Sequence, residues 1–306
     1  MRPGLDGVNA VGIRHRNPYL EAMKIDDLLA QIPLKRFQEP APVVGVLPLT
    51  GVIGGMGPLR GGLSLAGLAD SIEAAFKLRR LKAVALAINS PGGSPVQSSL
   101  IAGRIRALAD EKEVPVFAFA EDVAASGGYW LACAADEIFV DPSSVVGSIG
   151  VISSGFGLDE WIKQHGVSRR LYTAGERKAI LDPFEPEDAE DVGKLDAVLK
   201  ALHENFKAHV KARRGERLTG AESDLFSGEF WTGTEAVTLG LADGIGDLRS
   251  VMRARFGDKV KLRRVGGRKS WLRRKLGLGP ATDPAAWTGA MLDTIEERAL
   301  WQRYGR

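Results

Sequence analysis

The sequence predicts an α/β protein with a mostly parallel sheet and crossover helices. From residue 43 onward, apolar segments of strand length alternate with longer helical segments, an order that joins parallel strands through helices. The strand segments, such as AVALAI (83–88), are continuously apolar, which indicates a sheet covered on both faces. Three loops after predicted strands are small and polar, and binding sites form at that edge of an open parallel sheet.

The first half of the chain alternates strand and helix. The apolar runs VVGVLPL, AVALAI and VPVFAFA have strand length, and the segments between them are long enough for helices. The predicted elements are a strand beginning at 43, a helix over 63–80, a strand over 83–88, a helix over 95–111 and a strand over 114–120.

The second half begins with a short apolar helix after Ala125. Short β-branched runs then predict strands, a long amphipathic segment predicts a helix, and GTEAVTLGLADGIGDL predicts a helix that ends at a glycine. The predicted elements are strands over 137–140 and 148–152, a helix over 157–165, a strand over 169–174, a helix over 185–213 and a helix within 233–248.

Three regions are predicted along the chain. Residues 1–42 form a helical appendage and linker, because 17–33 has helical spacing of apolar residues before a Pro-rich stretch. Residues 43–250 form the main domain. Residues 251–306 form a basic segment and a tail rich in Gly, Pro and Ala.

Cysteine and histidine usage argues against metal chemistry and disulfides. The chain of 306 residues has one cysteine, Cys133, and four scattered histidines, so an intrachain disulfide is excluded and a Cys/His zinc site is not expected. We expect neither a metal nor a cofactor.

Charge is concentrated in one segment. The net charge is +3, but residues 253–275 contain eleven Lys and Arg and one acid, Asp258. A nucleic-acid-binding fold would spread its basic character more widely, so no nucleic acid partner is expected. Residues 253–279 are instead predicted to contact anionic lipid, with Trp271, Leu272 and Leu276 at the interface; a solvated tail, or a strand packing within an oligomer, is the alternative.

No segment near the N-terminus has the pattern of a secretory signal or a membrane span. The first twenty residues lack a sufficiently long apolar core, and Asp6 interrupts them. Residues 40–59 are uncharged, but their recurring Gly and Pro indicate two short strands. The predicted location is cytoplasmic or peripheral to the membrane.

The loop EDVAASGGYW (121–130) offers a candidate nucleophile. Ser126 follows a predicted strand and precedes an apolar helix, where the helix dipole and free amides could stabilise an oxyanion. A serine at this position can equally be an ordinary N-cap.

The base that would activate this serine is not a histidine. None of the four histidines lies in a strand-end loop, and Ala124 replaces the first glycine of a GxSxG elbow. A lysine can serve if burial lowers its pKa. Lys178, after the predicted strand RRLYTA, is the candidate, and a solvated lysine beside Glu176 and Arg177 is the alternative.

Together these residues resemble the signal peptide peptidase A family of Ser/Lys serine proteases, which has the Clp protease/crotonase fold. The resemblance covers about residues 43–250. It rests on GVLPLTGVIG, INSPGG, EDVAASGGYWLACAADEIFVDPSSVVGSIGVI, the Lys178 segment and WTGTEAVTLGLADGIG, in that order.

The resemblance implies a role for each site residue. Ser126 matches the nucleophile, Lys178 the general base and Ser148 the hydroxyl that orients the lysine amine. The Gly93 and Gly127 amides would form the oxyanion hole. Peptide substrates would add as a strand along the segment composed of Gly51, Val52, Ile53, Gly54, Pro91 and Gly92.

The chain departs from the family in two ways. Members that trim signal peptides usually carry an N-terminal membrane anchor, and none is evident here. Some members contain two copies of the fold, whereas this sequence holds one. Single-copy relatives form rings or domes in which neighbouring protomers contribute to one site, so the resemblance implies a homo-oligomer.

The resemblance implies a serine endopeptidase that cleaves remnant signal peptides or other membrane-derived or unfolded polypeptides. Two rivals share the fold. One is a crotonase-type acyl-CoA enzyme, which commonly uses carboxylates, whereas Glu121 and Asp122 are the only acids near these loops and precede the small residues. The other is a catalytically silent membrane-associated scaffold.

Overall fold

The computed structural model describes residues 40–54, 62–175, 177–266 and 298–305. The chain divides into two units, Met1–Ala41 and Pro42–Arg306. The helix predicted over 17–33 and the part of the basic segment beyond residue 266 lie outside the described residues. All the elements below belong to the second unit.

Eight strands form one sheet within the described residues. They are β1 (Val43–Thr50), β2 (Leu81–Ser90), β3 (Val116–Ala125), β4 (Glu137–Val140), β5 (Val145–Gly147), β6 (Phe230–Thr232), β7 (Gly244–Ile245) and β8 (Lys261–Arg264). The main order is β6-β5-β3-β2-β1-β8, with β4 pairing β3 and β7 pairing β4. Only the β5–β6 pair is antiparallel, so the predicted α/β fold with a mostly parallel sheet is confirmed.

The helices connect these strands and cover them. They are α1 (Leu65–Phe76), α2 (Pro95–Lys112), α3 (Gly127–Ala132), α4 (Asp159–Gln164), α5 (Ala189–Arg214), α6 (Glu222–Leu225), α7 (Gly233–Thr238) and α8 (Leu248–Phe256). Capping explains several boundaries: Ser94 accepts a hydrogen bond from the Gln97 amide at the start of α2, and Asp188 accepts from two amides at the start of α5.

The central strands are buried on both faces. On one face, Leu86 and Ala118 pack against residues of α1, α2 and α3. On the other, Ala85 and Phe117 join a smaller apolar cluster that includes Met252 of α8. This two-sided cover explains why these strands are continuously apolar rather than alternating.

Strand β3 changes its partner halfway along its length. Residues 117–120 pair with β4, whereas residues 123–125 pair with β5. The same end of β3 also pairs with the end of β2, through Ser90 and Ala124. The carboxyl ends of β2, β3 and β5 therefore meet at one edge of the sheet.

Two predicted strands are absent from the described structure. Residues 148–152 form no strand, because β5 ends at Gly147 and the backbone turns through Gly147 at φ +108° and Ser148 at φ +52°. Residues 169–174 are also irregular and largely exposed, with no neighbouring strand to pair with. The β-branched and aromatic residues in these segments suggested strands that no sheet edge supports.

Among the described residues, no helix is both long enough and apolar enough to cross a membrane.

Candidate active site

Ser126 occupies a strained backbone position between β3 and α3. Its φ is +53° and its ψ is −122°, a region that non-glycine residues rarely adopt and that occurs preferentially at functional sites. Its N–H donates to the Gly147 carbonyl at 2.7 Å, and its carbonyl accepts from the Trp130 N–H at 3.0 Å. Ser126 therefore occupies the N-cap position of α3, but its side chain makes no capping hydrogen bond.

The glycine-rich loop after β2 lies directly against Ser126. Gly92 has φ +105°, and a Cβ on it would lie 2.7 Å from the Ser126 Cβ and 2.9 Å from the Gly127 nitrogen. Only a residue without a side chain permits this approach. The loop is held from its other side by Ile53, whose N–H donates to the Gly92 carbonyl and whose carbonyl accepts from the Ser94 N–H, both at 2.8 Å.

Two backbone amides beside Ser126 are available for an oxyanion. Gly127 is the first residue of α3, where N–H groups have no partner within the helix. Within the described part of the chain, neither the Gly93 N–H nor the Gly127 N–H donates to a loop carbonyl or a side chain. Free amides close to a serine hydroxyl are the components of an oxyanion hole.

Ser148 lies next to Ser126 because the strands that precede them are paired. Ala125 and Gly147 are register partners, so the residues that follow them emerge side by side. Ser148 is buried and has φ +52°. Its N–H donates to the Glu229 carbonyl at 2.6 Å, and its Oγ accepts from the Tyr304 hydroxyl at 3.1 Å.

Lys178 is not brought to these serines by any contact within the described residues. It is exposed and lies in a turn closed by its own N–H and the Gly175 carbonyl at 3.2 Å. The strand expected to place it at the sheet edge, 169–174, is absent. The structure thus joins Ser126, Ser148, Gly93 and Gly127 and leaves the fifth predicted site residue apart from them.

The predicted substrate-binding segment is close to the site, but its backbone is already paired. Gly51 donates to the Asn89 carbonyl at 2.9 Å, and Ile53 forms a parallel bridge with Gly93. On the opposite side, Val52 accepts from the Leu63 N–H and Gly54 donates to the Leu63 carbonyl, both at 2.8 Å. A peptide strand could add to residues 52–54 only if the Leu63 segment moved aside.

Buried polar groups surround the helix that begins directly after Ser126. The Tyr129 hydroxyl of α3 donates to the Leu241 carbonyl at 2.8 Å, and burial raises its pKa well above the ordinary value. Burial likewise raises the pKa of the Cys133 thiol to about 12. Nearby, the Arg214 guanidinium donates to both carboxylate oxygens of Asp243, at 2.7 and 3.1 Å. The Tyr129 hydrogen bond therefore ties α3 to the segment between α7 and β7.

Sequence reasoning missed three residues around Ser148. Tyr304 contacts its hydroxyl, Glu229 accepts from its amide, and the Trp231 ring lies so close to Gly147 that a Cβ there would be 2.6 Å from it. Gly147 in GSIGV was the only available signal, since a glycine after an apolar run often marks a close approach. Nothing in the sequence linked Tyr304 to a position 156 residues earlier.

Comparison with known proteins identifies relatives of this chain. The sequence model described as peptidase family S49 matches residues 109–261. The chain is 50% identical over 288 residues to a Brucella abortus protein named Na(+)/H(+) antiporter NhaA, a match that covers 91% of this chain and 39% of that protein. It is 30% identical over 168 residues to a putative signal peptide peptidase SppA of Enterococcus faecium, covering 55% of this chain and 48% of that one.

The chain therefore spans about half, or less than half, of these two relatives. Among solved structures, a membrane-bound stomatin-specific protease mutant in complex with a substrate peptide is similar at 15% identity and a TM-score of 0.49. That match covers 78% of this chain and 98% of the other.

Proposed function

Because the chain belongs to peptidase family S49, we propose that it is a serine endopeptidase with Ser126 as its nucleophile. One observation carries the proposal: three strand ends converge on a strained serine that is flanked by free glycine amides. The match to a peptidase family also favours this function over the acyl-CoA alternative.

The proposed chemistry proceeds through an acyl-enzyme. The neutral Lys178 amine removes the Ser126 proton as Oγ attacks the peptide carbonyl, and the Gly93 and Gly127 amides stabilise the oxyanion. The protonated lysine then gives its proton to the leaving amine. Water, deprotonated by the same lysine, attacks the ester and releases the acid, which restores Ser126.

We infer that Lys178 reaches Ser126 from a second copy of the chain. Lys178 is exposed, and residues 156–172, which precede it, carry large apolar side chains that are mostly exposed: Phe156, Trp161 and Tyr172 are 81%, 55% and 89% exposed. Apolar surface of this extent is typical of an interface. A homo-oligomer would bury these side chains and could deliver the lysine of one copy to the serine of its neighbour.

Mixing two inactive variants tests this shared site. Ser126→Ala and Lys178→Ala subunits, co-expressed in equal amounts, should recover about a quarter of wild-type hydrolysis, because one in four randomly assembled sites receives both functional residues. Each variant alone should be inactive on casein and on a fluorogenic peptide with small apolar residues. A site contained within one copy would give no recovery.

The proposed substrates are extended polypeptides, such as remnant signal peptides or unfolded chains. The name of the Enterococcus faecium relative describes a signal peptide peptidase. Within the described residues, the backbone amides of 151–157 make no loop hydrogen bond, so they offer donors to an added strand. A wild-type protein that cleaves no peptide while remaining folded would favour the silent scaffold.

We propose further that the protein lies in the cytoplasm and contacts anionic membrane through residues 253–279. In the described part of this segment, Lys261, Arg263 and Lys259 are exposed on or beside the edge strand β8. Each basic residue near an anionic surface contributes roughly 1 kcal/mol.

Liposome sedimentation tests the membrane contact. The control variant replaces Arg268, Lys269, Arg273, Arg274 and Lys275 with Gln, which leaves β8 intact. We expect the wild type to sediment with phosphatidylserine vesicles and the variant to remain in solution. Equal sedimentation of both would contradict the proposal.

A further inference from the structure

Tyr304 links the C-terminal end of the chain to the active site. The tyrosine is 8% exposed, and it joins Val123, Ala125 and Val145 in a small apolar cluster at the end of β3 and β5. Its ring meets Phe230 edge-on, with centroids 5.3 Å apart. From this packed position its hydroxyl donates to the Ser148 Oγ at 3.1 Å.

The hydrogen bond from Tyr304 fixes the side-chain orientation of Ser148, which the backbone contacts leave free. The Ser148 main chain is held by the Glu229 carbonyl and by its position after β5. Its side chain can still rotate about χ1, and the phenol selects the rotamer in which Oγ accepts a hydrogen bond from Tyr304. No other described residue donates to this oxygen.

The hydrogen-bonding capacity of a serine hydroxyl allows a second donor. Oγ has two lone pairs and one proton, and Tyr304 uses one lone pair. The other can accept an N–H from a neutral lysine amine, whose single lone pair then remains free to take the Ser126 proton. One oxygen can therefore be held by Tyr304 and orient Lys178 simultaneously.

We propose that Tyr304 is a positioning residue that holds Ser148 in the rotamer that orients the catalytic lysine. The proposal rests on the proposed function, because Ser148 has a lysine to orient only if Lys178 is the base. In a shared site, Tyr304 would act within the copy that supplies Ser126 and Ser148.

A double-mutant cycle distinguishes positioning from general structural support. In the otherwise wild-type chain, Tyr304→Phe should lower kcat by about 3- to 10-fold, the range expected for one hydrogen bond, and leave KM within about twofold. In a Ser148→Ala chain, the same change should alter kcat by less than about twofold, because its target oxygen is gone. The acylation burst with an activated p-nitrophenyl ester supplies the rate if peptide turnover by Ser148→Ala is too slow to follow.

Tyr129→Phe is the matched control. It also removes a buried phenol, but one that donates to the Leu241 carbonyl. Any loss that it causes should be the same with and without Ser148, and circular dichroism should show all variants folded.

Three results would overturn the proposal. Equal losses from Tyr304→Phe in both backgrounds would assign the tyrosine a structural role only. Increased activity would mean that the phenol blocks the position of the lysine. Unchanged activity of Tyr304→Phe, while hydrolysis still depends on Ser126, would refute the positioning role and leave the proposed function intact. Hydrolysis that does not depend on Ser126 would instead refute the proposed function.

Discussion

Gly92→Ala is the substitution that most directly tests the geometry of the site. The added methyl would lie 2.7 Å from the Ser126 Cβ, 2.9 Å from the Gly127 nitrogen and 3.0 Å from the Ala125 carbonyl oxygen. Two of these atoms belong to the backbone, so no side-chain rotation can relieve the overlap. Alanine would also have to adopt φ +105°, which costs about 1–3 kcal/mol.

Backbone strain and overpacking together should leave Gly92→Ala folded but disturb the geometry around Ser126. Overpacking adds about 1–3 kcal/mol to the backbone strain, and a domain with a typical stability of about 5–15 kcal/mol withstands that loss. The clash is relieved by separating the Gly92 loop from Ser126, which displaces the Gly93 amide from the oxyanion. We therefore expect kcat/KM for a fluorogenic peptide to fall by about 100-fold or more, with an unchanged far-UV circular dichroism spectrum.

Gly103→Ala provides the matched control. Gly103 lies in α2, and a Cβ there meets nothing within 4 Å, so alanine should raise helix stability by up to about 1 kcal/mol and leave kcat/KM unchanged. Wild-type turnover by folded Gly92→Ala would refute the reasoning, because the loop would then have no role in stabilising the oxyanion.

Three further predictions concern the buried polar groups around α3. Asp243→Asn should lower the free energy of unfolding in urea by about 3–5 kcal/mol, because the buried Arg214 loses its counter-ion. As a control, Asp258→Asn removes an exposed partner of Arg253 and should lower the free energy of unfolding by about 1 kcal/mol or less. Burial lowers the pKa of His209 below 6.5, so folding favours its neutral form. The free energy of unfolding should therefore decrease as the pH falls below about 6.5 toward the folded-state pKa of His209. His209→Gln should remove this part of the pH dependence. The Cys133 thiol, with a pKa of about 12, should resist iodoacetamide at pH 8 in the native protein and react after unfolding; rapid native alkylation would contradict its burial.

The part of the site that the sheet builds was predictable from sequence. Apolar strands followed directly by small polar loops indicated the loops that contain Gly93 and Ser126, the family resemblance implied the roles of the two residues, and the structure places these loops in contact. The loops could be predicted to lie together because the carboxyl ends of parallel strands meet at one edge of a sheet. Ser148 was selected by the family resemblance, and the structure ends a strand at Gly147 instead of beginning one at Ser148.

The remaining parts depend on contacts that local patterns do not encode. Lys178 was expected after a strand over 169–174, but an alternating or β-branched pattern forms a strand only where a neighbouring strand can pair with it. Tyr304 lies 156 residues after Ser148, and only the folded chain brings the two together. Sequence spacing could not reveal either position.

Under the proposed mechanism, assembly of two or more copies would complete the active site. Fully burying a large apolar side chain contributes roughly 1.5–3 kcal/mol, and Phe156, Trp161 and Tyr172 leave much of that free energy unused in a single copy. The sheet of one chain positions Ser126 and the Gly93 and Gly127 amides, whereas the exposed apolar side chains near Lys178 would gain further packing in the proposed assembly. Under the proposed mechanism, assembly would then supply the base, so activity should fall with subunit concentration more steeply than in proportion wherever dilution dissociates the copies.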